Sequence, residues 1–155
     1  MKAWIFGIAL VAATTGSTVN AQGTCLIGPV QGTEQLRAGA GAEAAEAVKD
    51  GLRTAEYTVD LLDADGGCSD EACVQERLTA QSADFVVYVA VWARADETQV
   101  SEVTVTLRTV AGVDFSHRAA VNGDVTTAAR QALAGALSNL LGGRRAEVRV
   151  RSIPP

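Results

Sequence analysis

The sequence predicts an α/β fold: a mixed sheet packed by helices, in the order β-α-β-α-β-β-β-α. Three observations predict it. Apolar residues recur alternately at helical and at strand spacing along the chain. The run Phe85 to Ala93 is continuously apolar and rich in β-branched and aromatic residues, as suits a central strand covered on both faces. The first three strands are separated by helices, which makes them parallel with right-handed crossovers, whereas the last two follow short turns and are antiparallel.

The elements follow in order. Cys25 to Val30 reads as a short first strand cut off by Gly28 and Pro29. From Thr33 the period lengthens. Leu36, Ala40, Ala44, Ala45, Val48 and Leu52 form the stripe of an amphipathic helix, with Gly39 and Gly41 weakening its first half by roughly 1 kcal/mol each. Tyr57 to Leu62 is the second strand, and Asp63 to Gly67 is a loop by composition. Ser69 suits the N-cap of a second helix that runs to about Gln81, with Asp70 and Glu71 favoured at its positive end. That register puts Cys68 and Cys73 at the two positions that touch in a hydrophobic staple, where a disulfide can replace the contact. After the central strand and a polar turn at Asp96 to Gln99, Val103, Val105 and Leu107 alternate with Thr104, Thr106 and Arg108, a strand with one wet face. Gly112 marks a tight connection. In the next strand Val113, Phe115, His117 and Ala119 oppose Asp114, Ser116 and Arg118. Asp124 caps a last helix with a stripe from Val125 to Leu141, and Gly142-Gly143 is expected to end it.

The two ends read differently from this body. Lys2, the apolar run Trp4 to Ala13 and the small-x-small triplet Val19-Asn20-Ala21 predict a cleaved export signal over residues 1–21. The run is too short to span a bilayer, and no later stretch replaces it, so no transmembrane span is expected after cleavage. Gln22-Gly23-Thr24 before Cys25 departs from a lipidation signal, so the mature chain is read as not a lipoprotein. The α/β domain is assigned to 22–143. Residues 144–155 read as a terminal strand that either pairs with a sheet edge or opens a further domain. Export also predicts that Cys68 and Cys73 are oxidised to each other, leaving Cys25 as the free thiol.

Two resemblances attach to these residues. The final Val148-Arg149-Val150-Arg151-Ser152-Ile153-Pro154-Pro155 resembles the opening strand of a PEGA domain, a small β module of bacterial envelope proteins. The paired Cys68 and Cys73, the strand opening Ala83-Asp84-Phe85-Val86-Val87, and Val103 to Val110 before a Gly turn resemble the α/β domain that precedes PEGA repeats in bacterial secreted proteins. The same pattern is similar to the periplasmic amino-terminal domain of the Tol-system translocation protein and to curli-secretion-like lipoproteins. Ala111-Gly112-Val113 is shorter than the Asp-x-x-Thr-Gly loop usual there. The resemblance implies an envelope location and protein–protein contact, without a shared active site.

Charge and chemistry narrow the function. A net charge of −5 argues against a nucleic-acid partner, which needs a basic face. His117 is the single His, and its neighbour Ser116 points to the opposite side of a strand, so the two do not form a triad. Asp63, Asp65 and Gly66 lack the later ligands of a calcium loop, whose twelfth position here is Val74. Gly39 and Gly41 lack the Lys-Ser/Thr of a phosphate loop. Cys25 lies on a strand with no cationic neighbour to activate it and reads as a buried thiol. The arginines from Arg144 to Arg151 read as a solvated strand face. No catalytic residue, metal or cofactor is therefore assigned. The expectation is a non-catalytic interaction or scaffolding module, periplasmic or secreted, with an envelope protein or a cell-wall component as partner. Its expected interaction edge carries Thr104, Thr106 and Arg108. The alternatives are a periplasmic hydrolase and a structural domain that only presents a downstream β module.

Overall fold

A computed structural model describes residues 23–62, 68, 70–95 and 99–152, with side chains to residue 142. Its strands are β1 (Gly23–Ile27), β2 (Tyr57–Leu61), β3 (Phe85–Trp92), β4 (Glu102–Thr109) and β5 (Asp114–Ala120). Helix α1 is composite: an α-helical turn Glu34–Leu36, a π-helical stretch Arg37–Gly41, then α-helix Ala42–Thr54. Helix α2 is Glu71–Ala80 and α3 is Val125–Ser152. The expected α/β order and mixed sheet are present. The sheet order is β2-β1-β3-β4-β5; β1 pairs parallel with β2 and β3, and β3-β4-β5 is antiparallel.

The two faces of the sheet are covered unequally. On the first, Ala44, Ala47, Val48 and Leu52 of α1 and Ala129, Ala132, Leu133, Ala136 and Leu140 of α3 pack on Ile27, Phe85, Val87, Val89, Val91, Val103, Val105 and Leu107. Each fully buried large side chain contributes roughly 1.5–3 kcal/mol relative to exposure. The alanines let the helices approach closely. An added Cβ at Gly51 of α1 would come within 2.7 Å of Leu133 Cδ2 on α3. On the second face, among the described residues, α2 is the helix that packs, with Val74 and Leu78 on Leu26, Val86, Leu62 and Ala83.

Several local expectations are corrected. The first helix is not uniformly α-helical. A Cβ at Gly41 would sit 2.8 Å from Val30 Cγ1 and 3.0 Å from the Leu36 carbonyl oxygen, so glycine permits the close approach of the widened π turn. The N-cap of α2 is Asp70, whose carboxylate accepts from the Cys73 amide at 2.7 Å. The helix therefore starts one residue later than a Ser69 cap would place it. Cys68 and Cys73 are bonded across this start, with their Cα atoms 5.5 Å apart. The central strand is buried on both faces through Val87 and again from Val89 to Val91, but Tyr88 is half-buried and Trp92 is 52% exposed. Gly142-Gly143 does not end α3. The helix continues to Ser152, so the residues from Glu147 expected as a terminal strand are helical as far as they are described. The Arg, Ala and Glu residues after the glycines are good helix formers and carry the turn onward. The expected export signal lies outside the described residues, as do Asp63, Asp65 and the last three residues.

Candidate functional site: the open half of the second sheet face

Three strands present side chains to the half of the second face that α2 does not cover. The β3-β4-β5 register stacks them in rows: Val86–Arg108–Asp114, Tyr88–Thr106–Ser116, Ala90–Thr104–Arg118 and Trp92–Glu102–Ala120. Thr104, Thr106 and Arg108 thus stand on a wet face, as their alternation implies, but not on an edge. β4 is hydrogen-bonded on both sides, and β2 and β5 form the edges. The hairpin after β4 returns the chain alongside it, which moves the open edge out by one strand. The β5 edge is itself partly closed, because Asn139 of α3 donates to the Ser116 carbonyl at 3.1 Å.

The rows are already paired across strands. Arg108 Nε and Nη2 donate to the two carboxylate oxygens of Asp114 at 2.7 and 3.0 Å, a bidentate ion pair. The Arg108 guanidinium also lies 5.8 Å from the centre of the Tyr88 ring, within reach of a cation–π contact. Its hydrogen bond to Asp114 strengthens the hold on its proton, and the same bond keeps the Asp114 carboxyl below the usual carboxylate range. The Thr106 and Ser116 hydroxyls share a hydrogen bond of 2.8 Å. Arg118 lies 3.7 Å from Glu102. Opposite cross-strand charges and hydroxyl pairs each contribute roughly 0.2–1 kcal/mol, so the side chains of this face are held in place by one another.

Where α2 leans over the sheet, a cleft of about 460 Å³ opens. Asp70, Glu71 and Val74 line one wall, and Tyr88, Thr106, Arg108, Asp114 and Ser116 form the floor. Glu71 reaches the β4–β5 turn, its carboxylate 4.0 Å from where a Cβ at Gly112 would stand. The disulfide at Cys68 borders the same cleft and fixes the helix end that walls it.

The remaining candidates lie apart from this face. Cys25 is fully buried on β1 as a free thiol, and burial, with Asp60 and Asp84 nearby, pushes it up to about 12. It is therefore a neutral thiol at physiological pH, without the thiolate that nucleophilic attack needs. His117 turns to the first face, where its ring lies over Gly135 of α3; a Cβ there would collide with the imidazole. Among the described residues no group of three or more His, Cys, Asp and Glu side chains is placed to hold a metal ion. No helix among them is long and apolar enough to cross a membrane. The side chains of Arg144 to Arg151 lie outside the described set.

Sequence reasoning missed Tyr88, Asp114 and Ser116 as members of this face. A signal for two of them was present. A tight turn centred on Ala111 pairs residues symmetrically about it, which sets Arg108 opposite Asp114 and Thr106 opposite Ser116. Nothing comparable marked Glu71, because its approach depends on the tilt of α2.

No family model matches the chain, and no curated protein does. Solved structures are similar at low identity. A PelC dodecamer from Paraburkholderia phytofirmans is 19% identical, with a TM-score of 0.45 over 77% of this chain and 88% of its own. The lipoprotein GNA1162 from Neisseria meningitidis is 17% identical, with a TM-score of 0.35 over 78% of this chain and 99% of its own.

Proposed function

We propose that this chain is a non-catalytic protein-interaction module of an exported bacterial envelope protein, and that it meets its partner through the open half of the second sheet face. The observation that carries the reading is that β3, β4 and β5 present an ordered polar face, with Arg108, Asp114, Thr106 and Ser116 already paired. A face whose side chains are held in place loses little entropy on binding and favours a partner of complementary shape and polarity. The Cys68–Cys73 disulfide supports export, since such bonds persist in oxidising compartments. The resemblance to PEGA-associated domains supports an envelope setting. The full burial of the neutral Cys25 thiol supports binding over Cys-based nucleophilic hydrolysis.

The test uses a photoreactive aromatic residue in place of Thr104, and separately in place of Glu46 on the exposed side of α1. Irradiation in the cell envelope should give a discrete adduct from position 104 and none from position 46. Thr106→Arg, which loses the hydroxyl pair with Ser116, should abolish that adduct while the protein still melts cooperatively, within about 1 kcal/mol of wild type. An adduct from position 46 alone overturns the choice of face. A hydrolytic turnover of purified protein that His117→Ala or Cys25→Ser removes, with the fold retained, overturns the non-catalytic reading.

A further inference from the structure

The edge of the sheet away from β5 is β2, which is hydrogen-bonded on one side, to β1. Its open side can be read from one bond. Leu62 donates its amide to the Ile27 carbonyl at 3.0 Å. Successive residues of a strand turn their backbone groups to opposite sides, so Thr58 and Asp60 also face β1. The amides and carbonyls of Val59 and Leu61 therefore face outward, and among the described residues nothing is bonded to them. The strand carries few of the devices that keep such an edge from pairing. It has no Pro and no Lys, and its five residues pair with β1 in unbroken register, without a bulge. Leu61 is 52% exposed on it.

The order of residues on this strand defines the partner. Tyr57-Thr58-Val59-Asp60-Leu61 has the same pattern in both directions, apolar at 57, 59 and 61 and polar at 58 and 60. Tyr57 and Val59 pack toward the core of the first face, so Leu61 belongs to that side and Thr58 and Asp60 to the other. Such a pattern fits a twofold axis through Val59. Two β2 strands laid antiparallel about that axis set Val59 opposite Val59, where the outward amide and carbonyl of each bond to those of the other. Tyr57 then stands opposite the exposed Leu61, and the Thr58 hydroxyl can donate to the Asp60 carboxylate. Asp60 selects this register. Parallel in-register pairing, or an axis moved to Asp60, puts carboxylate against carboxylate, which opposes pairing. We propose that β2 pairs with β2 of a second copy, antiparallel about Val59, and so joins two sheets into one continuous sheet. The strand is complementary to itself in apolar contact, hydrogen bonding and charge, which is what commits the edge to a second copy. The interface lies at the opposite edge from β5 and does not depend on the role assigned to the open half of the second face.

The contact is short, below the roughly 1,200 Å² of a stable interface, so the dimer is expected to be weak, with a Kd on the order of 100 µM. Sedimentation equilibrium tests it on protein expressed from the full sequence and purified as the cell processes it. Reversible dimerisation should appear between about 5 µM and 1 mM. Thr58→Lys, at an exposed position, sets Lys against Asp60 twice across the axis and should tighten the dimer about tenfold. Adding Asp60→Asn should cancel that gain, because no other register brings the two positions together. Leu61→Pro deletes an outward amide and leaves the bonds to β1 in place, so it should give a monomer with unaltered circular dichroism. Wild type that stays monomeric to about 1 mM overturns the proposal. So does a dimer that Thr58→Lys fails to tighten, or one that folded Leu61→Pro leaves intact. Should Leu61→Pro not fold, the Thr58→Lys and Asp60→Asn pair decides alone.

Discussion

The two faces of the sheet are made by the same strands and end in opposite states. β4 shows this most plainly. Val103, Val105 and Leu107 are sealed under α1 and α3, while Thr104, Thr106 and Arg108, one residue away in each case, are half-buried and paired with one another's neighbours on β3 and β5. The first face is held by volume and the second by cross-strand polar contacts plus a single short helix. A sheet in this arrangement has one surface sealed by helices and one that is polar and only partly covered. A change of the same chemical kind should therefore have very different consequences on the two sides.

The sharpest break in that comparison is a buried charge. Val89→Asp would place a carboxylate without a partner beneath α1 and α3, at a cost on the order of 4 kcal/mol or more, enough to unfold a domain of ordinary stability. Thr104→Asp, on the open side, should stay within about 1 kcal/mol of wild type. Thermal melts of the two variants give the contrast directly, and equal melting points would mean that the faces are not distinct.

The second test acts on the weaker face alone. Cys68→Ser with Cys73→Ser removes a short loop closure, which the chain-entropy model values at about 2 kcal/mol. The protein should remain folded, with hydrogen exchange accelerated in α2 and little changed in β3 and α3. Thiol titration of denatured, unreduced wild type should find one reactive Cys per chain, Cys25, which in the native state should react only as fast as the fold opens. A finding of three thiols would remove the covalent support from this face.

The smallest effect is electrostatic. The folded pKa of Asp114 is depressed by its bond to Arg108, so its contribution is present above the ordinary carboxylate pKa and is lost as pH falls through the lower, folded value. Partial exposure screens the pair to about 1 kcal/mol or less. Asp114→Asn should therefore lower stability slightly at neutral pH, with the gap from wild type closing in acid. A gap that widened in acid would show that the ion pair is not what orders the row.

Much of this architecture was readable from spacing. The polar and apolar alternation of β4, the unbroken run of β3 and the cap at Asp124, whose carboxylate accepts from the Thr126 and Thr127 amides, are local patterns with local causes. Other features depended on long-range contact. Gly41 read as a weak point in a helix until Val30 was found against it. Gly142-Gly143 read as a stop, yet propensity is a weak prior and the helix carries on. β4 was expected at an open edge and is not there, because edge status belongs to the sheet and not to a strand. β4 lost it when β5 folded back beside it.

By itself the sequence determined the order and type of the elements from β1 to the start of α3, and which side of each strand is apolar, because 2.0- and 3.6-residue periods are properties of neighbouring residues. Only the tertiary structure decided which polar side stays open, that α2 covers less of the sheet than α1 and α3 do, and which strands stand at the edges. Those outcomes depend on strand order and helix tilt. Both arise from packing between segments distant in the chain, and no local pattern encodes them.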